Sequence, residues 1–190
     1  QLIAREMNLA ETAFLSVSNK ADYNLRWFTP EIEVNLCGHA TIASLHYLRQ
    51  DGLIGDNSKV VFDTLSGKLK CGVENGRYFM QIPNYSFEEY KDEETIEELL
   101  TALSLFSSSI DSDTPMLLCE SGYLFIYIKH LKDLGKLKPD YAALKYLCSS
   151  GKGFNSVVAF TLETNDENSF AHLRFFAPAF GINEDIVTGS

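Results

Sequence analysis

The chain has 190 residues, 45% hydrophobic and 22% charged, with a formal net charge of −10 at pH 7. This composition supports a packed core, in one large domain or two small ones, and excludes a disordered chain. It offers no basic face for phosphates or anionic lipid, so neither nucleic acid nor membrane is expected as a partner, and no apolar run reaches the ~20 residues that span a bilayer.

Residues 1–9 read as the end of an amphipathic helix, with Leu2, Ile3, Met7 and Leu9 near helical spacing. Residues 11–18 alternate Ala13, Leu15 and Val17 against Thr12, Phe14 and Ser16, the period of a strand. After a polar turn, a second strand spans 23–29 and ends at Pro30, which has no N–H for a sheet ladder. A short extended piece at 32–36 leads to a sharp Cys37-Gly38 turn and a helix over 40–50. Its apolar positions, among them Ile42, Ala43, Leu45 and Leu48, predict burial on most sides, and Gly52 stops it. A mostly apolar helix between strands points to a helix wrapped by a curved sheet.

Strands follow at 60–64, 68–73 and 78–82, the last two joined by Asn75-Gly76, which suits the positive φ of a tight hairpin. The acidic stretch 83–92 connects two halves, giving expected domains over 1–86 and 87–190. The second half reads as a helix over 93–106, with acids in its first turn and Thr95 helping to start it. Strands at 117–118 and 123–128 follow, the latter wholly apolar and so central, then a helix at 141–147 and strands at 154–162 and 170–176.

One stretch occurs twice. Arg26, Phe28 and Pro30 match Arg174, Phe176 and Pro178; after an insertion of about three residues, Glu33, Cys37, Gly38 and His39 match Glu184, Thr188, Gly189 and Ser190. Such a repeat predicts two halves of similar architecture.

The repeated loop carries the candidate chemistry. A Gly38 turn entering a helix leaves the first helical N–H groups unpaired at the positive end of the dipole, a seat for a carboxylate. Thr188-Gly189-Ser190 would form a second seat. His39, at that helix start, is expected as a neutral imidazole that hydrogen-bonds or shuttles a proton. Asp185 stands where the first copy has Val34, an asymmetry that suggests a task on one side only. Glu11 opens a strand among apolar neighbours, a setting that suits a base that must also return its proton. Cys37, Cys71, Cys119 and Cys148 form no Cys-x-x-Cys pair, and His39, His46, His130 and His172 add no ligand spacing. Reduced thiols in a cytoplasmic protein are expected, without structural zinc or disulfides.

Three segments carry a resemblance: 8–14 (NLAETAF), 25–30 with 37–41 (LRWFTP, CGHAT), and 174–178 with 184–190 (RFFAP, EDIVTGS). In this order they resemble the phenazine-biosynthesis PhzF-like family. The resemblance implies the α+β diaminopimelate-epimerase-like fold: two pseudo-symmetric domains, each a curved sheet around a central helix, with the site in the cleft between them. It implies a cofactor-independent isomerase, a homodimer, moving a proton between carbons of a small carboxylic acid. Glu11 would be the general acid/base, with His39 and Asp185 assisting. Gly38 and Ala40 would bind substrate at one loop, Gly189 and Ser190 at the other. Two-cysteine racemases of this fold place a thiol at each loop. Here Cys37 faces Thr188, which cannot hold a thiolate near neutral pH. A racemase using Cys37, or a binding protein that has lost catalysis, are the alternatives. The family's Gly-Asn-Pro segment before Gln1 and the helix after Ser190 lie outside the chain, so the middle of a longer protein is expected.

Overall fold

The computed structural model describes residues 1–82 and 84–185. The chain forms two compact units, one over Gln1–Asn84 and a second beginning at Tyr85. No helix among the described residues is long and apolar enough to cross a membrane.

The first unit contains α1 (Leu2–Met7), β1 (Thr12–Val17), β2 (Tyr23–Phe28), β3 (Glu33–Val34), α2 (Gly38–Gln50), β4 (Lys59–Thr64), β5 (Gly67–Glu74) and β6 (Arg77–Met80). The sheet order is β1-β2-β4-β5-β6, with β3 on β2; β2 and β4 run parallel and the other pairs antiparallel. Helix α2 touches both β1 and β6, the two ends of that order, so the sheet curls around it. Leu25, Trp27, Phe62, Leu69 and Cys71 from the strands close on Leu45 and Leu48 of α2. Each such large apolar side chain contributes about 1.5–3 kcal/mol by leaving water.

Burial of α2 is narrower than its composition suggests. Gly38, Ala40, Thr41, Ser44, Leu45 and Leu48 are buried, but Ala43, His46, Tyr47 and Gln50 are exposed. Those four recur at helical spacing, so they form one open stripe that the curl of the sheet does not cover. At the hairpin, Asn75 (φ 50°) and Gly76 (φ 77°) both take positive φ, as the dipeptide predicts.

The second unit contains β7 (Phe87–Glu89), α3 (Glu93–Ala102), β8 (Leu117–Cys119), β9 (Tyr123–Tyr127), α4 (Leu131–Lys136), α5 (Tyr141–Ser149), β10 (Ser156–Thr161), β11 (His172–Ala177), a 3-10 turn (Pro178–Phe180) and β12 (Ile182–Asp185). Its sheet order is β12-β11-β10-β9-β8-β7. The main core joins Leu99, Leu103, Leu144 and Leu147 of the helical layer to Leu124, Ile126, Val157 and Phe176 of the sheet. The opposite face carries a second cluster of Val158, Phe175, Ala177 and Ile182, with Tyr123 and Phe125 against it.

Three elements here were not read from sequence. Strand β7 is exposed throughout and lacks apolar alternation, so only its ladder with β8 makes it a strand. Helix α4 is six residues long, too short for a periodic signal. Strand β12 is aligned by pairing with β11. Helix α3 ends at Ala102 rather than 106, because Ser104 turns left-handed (φ 54°). Its cap is Asp92, which accepts from the Thr95 N–H at 3.1 Å and the Thr95 hydroxyl at 2.7 Å. Thr95 thus helps to start the helix, as the donor to its cap.

The sequence repeat has a structural counterpart. Arg26 grips Glu33 through two charge-assisted hydrogen bonds, 2.6 and 2.5 Å, with its guanidinium 5.0 Å from the Phe28 ring centre. Arg174 grips Glu184 through two of 2.7 Å and lies 5.2 Å from the Phe176 ring. Both clamps tie a strand to its antiparallel neighbour, β2 to β3 and β11 to β12. The insertion of the second copy follows Pro178, where the turn Pro178–Phe180 is closed by Gly181 at φ 82°.

Candidate active site

Three of the sequence candidates meet in the first unit. Glu11 sits just before β1, after α1 has ended on Asn8 in a left-handed cap (φ 49°). Cys37 is the residue before α2, extended (φ −146°), with no side chain capping the helix. The Thr41 N–H and hydroxyl both bond the Cys37 carbonyl, at 3.1 and 2.6 Å, and fix the turn. Gly38 and His39 then open the helix, so His39 swings back toward Glu11.

His39 Nε2 lies 3.2 Å from Glu11 Oε2, and the Glu11 side chain is only 8% exposed. Oε2 is shielded from solvent, with no donor aimed at it in hydrogen-bond geometry. The His39 contact is therefore a charge pairing by proximity rather than an aligned hydrogen bond. Cys37 Sγ lies 3.8 Å from His39 Nδ1 and 3.9 Å from Nε2, equally placed toward both nitrogens rather than in line with one.

These neighbours correct the reading of His39 as a neutral imidazole. The Cys37 sulfur, and after it the Glu11 carboxylate, raise the ring pKa to about 10 against the opposing effect of burial. Partial charge at a helix end is worth a few tenths to one kcal/mol. Acceptors in direct contact outweigh it, so the ring carries its proton at neutral pH.

Glu11, His39 and Ala40 border a cavity of about 450 Å³ completed by Ala13, Leu15, Ala43, Ser44 and Tyr47. Ala13 and Leu15 share the strand face that follows Glu11, and Ala43, Ser44 and Tyr47 stand one or two helical turns beyond His39 and Ala40. Both periodicities were present in the sequence, but only the seating of β1 against α2 shows that they line one space. The Ser44 hydroxyl donates to the Ala40 carbonyl at 2.7 Å and is thereby satisfied within the helix.

Gly38 is buried in the turn. Asp185 belongs to the second unit, at the end of β12 opposite Phe175. Thr188, Gly189 and Ser190 lie outside the described residues. All four cysteines are free, and burial pushes the Cys71 and Cys148 thiols up to about 12, so these two stay protonated and inert.

A family model described as phenazine biosynthesis-like protein, PhzC-PhzF, matches residues 1–190. The chain belongs to the PhzC-PhzF family. An uncharacterized isomerase of Clostridium acetobutylicum is 39% identical over 198 residues, covering 100% of this chain and 65% of that protein. The crystal structure of a Bacillus anthracis phenazine biosynthesis protein of the PhzF family aligns over 100% of this chain and 65% of its own, with TM-score 0.84 and 29% identity. A predicted epimerase of Pseudomonas aeruginosa shares the fold, with TM-score 0.69 and 24% identity over 99% of this chain and 65% of that one. The chain thus spans 65% of the length of the relatives it matches, and its architecture is the α+β, epimerase-like fold of this family.

Proposed function

We propose that the PhzC-PhzF protein containing this chain is an isomerase that moves a proton between carbons of a small carboxylic acid, with Glu11 as the proton carrier. The observation that carries this reading is the Glu11 carboxylate itself: nearly enclosed, at the edge of a cavity, with no competing hydrogen bond to its inner oxygen. A carboxylate held so can take a proton from carbon and return it to another carbon of the same substrate. The N–H groups that open α2, at Gly38, His39 and Ala40, would receive the substrate carboxylate. The His39 imidazolium would balance charge as electrons shift toward the acid group. Asp185, Gly189 and Ser190 are assigned the corresponding contacts from the second loop. The names of relatives as isomerases support the reaction class.

A second reading follows from Cys37, whose sulfur lies against the same imidazole. It would pair with Glu11 as the opposed acid and base of a racemase or epimerase.

The test is exchange of carbon-bound hydrogen in deuterated water, followed by NMR over a panel of small carboxylic acids. Glu11→Gln should reduce exchange by about 10² to 10⁴, the loss expected when a positioned acid/base is removed. Near-normal exchange in that variant would overturn the assignment and make Asp185→Asn the next to examine. No exchange with any acid, alongside tight binding of one, would favour a binding protein.

A further inference from the structure

Glu11, Cys37 and His39 have a second property, independent of proton transfer. Among the described residues they are the only group of three His, Cys, Asp or Glu side chains whose ligand atoms all lie within 4.8 Å of one another. A tetrahedral zinc ion, with bonds of roughly 2.0–2.3 Å to N, O and S, sets its ligands about 3.4 Å apart for N and O and about 3.6 Å for N and S. The observed separations are 3.2 Å for His39 Nε2 to Glu11 Oε2 and 3.9 Å for His39 Nε2 to Cys37 Sγ. These two pairs need adjustment of a few tenths of an ångström, and the Glu11 oxygen and Cys37 sulfur, within 4.8 Å of each other, would draw in around the ion.

The ligand types also suit zinc. A thiolate, an imidazole and a carboxylate form a mixed S, N, O set of the kind a thiophilic divalent cation takes. Zinc binding releases the ligand protons to solvent, the His39 imidazolium proton among them. With the imidazole then neutral, one thiolate and one carboxylate balance a charge of two, which an enclosed site requires. Glu11 Oε2 has an unfilled acceptor in a side chain that is 92% enclosed, since only 8% is exposed. The fourth coordination position would face the cavity bordered by Ala43 and Tyr47, where water can reach it.

We propose that Glu11, Cys37 and His39 form a seat for one zinc ion, and that its occupation shuts the site off. Zinc takes the Glu11 oxygen that would accept the substrate proton and the imidazole that would balance charge. The seat stands on geometry alone; the inhibition rests on the isomerase reading above.

The experiment is equilibrium dialysis of the full-length, metal-stripped protein against zinc chloride, and separately against cobalt chloride with absorption spectroscopy. One equivalent of zinc is expected. Cobalt should give intense tetrahedral bands with a thiolate-to-metal charge-transfer band. Cys37→Ser and Glu11→Gln, each checked for folding by circular dichroism, should weaken zinc binding at least about tenfold, the minimum even for loss of an outer-shell partner. The Cys37→Ser variant should also lose the charge-transfer band. Binding unchanged in Cys37→Ser, a weak octahedral cobalt spectrum, or no stoichiometric zinc would each overturn the proposal. The readouts separate it from the isomerase reading. Zinc bound while Glu11→Gln retains exchange activity sinks only that reading. Exchange lost in Glu11→Gln while zinc fails to bind sinks only the seat. Zinc bound without inhibition of an active enzyme overturns the regulatory half.

Discussion

Replacing Glu11 by Gln tests the site without knowledge of the substrate, through the titration of His39. The change keeps the size of a side chain that is only 8% exposed and removes one charge 3.2 Å from His39 Nε2. Even with the full screening of bulk water, unit charges at that distance interact by about 1.3 kcal/mol. One pKa unit corresponds to about 1.36 kcal/mol, so the ring should lose at least about one unit from its value of about 10. Cys37 remains in contact and should hold it above the ordinary histidine value. The same pair fixes a pH dependence of stability. A pKa raised on folding contributes fully below the unfolded value of about 6.5, and the contribution is lost as pH rises through about 10. Wild-type thermal stability should therefore fall over that window more steeply than that of Glu11→Gln. Two-dimensional NMR of the imidazole gives the first quantity and calorimetry across pH the second. An imidazole that titrates within a few tenths of a unit of wild type in the variant would refute the pairing.

Three further outcomes are expected. Cys37→Ala should retain exchange activity within about tenfold if Glu11 carries the proton alone; a loss beyond about a hundredfold would favour the two-base reading. Arg174→Met should cost about 1–3 kcal/mol in urea denaturation, because it leaves Glu184 with only the Tyr141 hydroxyl at 3.4 Å and removes the donor that the Leu137 carbonyl has at 3.0 Å. Arg26→Met, at the more exposed copy of the clamp, should cost clearly less, and equal losses would contradict this account. Gly72→Ala should destabilise by about 1–3 kcal/mol. A Cβ there would sit 2.4 Å from the Ser58 carbonyl oxygen, which cannot retreat without loosening its 2.9 Å bond from the Val73 N–H. A change under about 0.5 kcal/mol would mean that the strand shifts freely.

Family and fold class were legible in the sequence, because they reside in short segments whose chemistry is local. The repeat was legible for the same reason: Arg26, Phe28 and Glu33 reappear as Arg174, Phe176 and Glu184, and each set builds the same clamp. Elements with their own periodicity, such as β1, β9 and α5, were also written locally. Strands β7 and β12 were not, since a partner strand defines them, and α4 was too brief to register. The open stripe on α2 depended on how far the sheet curls, which no residue of the helix encodes. The charge on His39 is the sharpest case. Sequence placed it at a helix start, where the dipole favours the neutral ring. The local turn set Cys37 against the ring, tertiary packing brought a carboxylate from 28 residues earlier to it, and these close acceptors outweigh a partial dipole. Sequence by itself thus determined which groups are present and what each can do, whereas the tertiary structure decided which protonation state the imidazole holds.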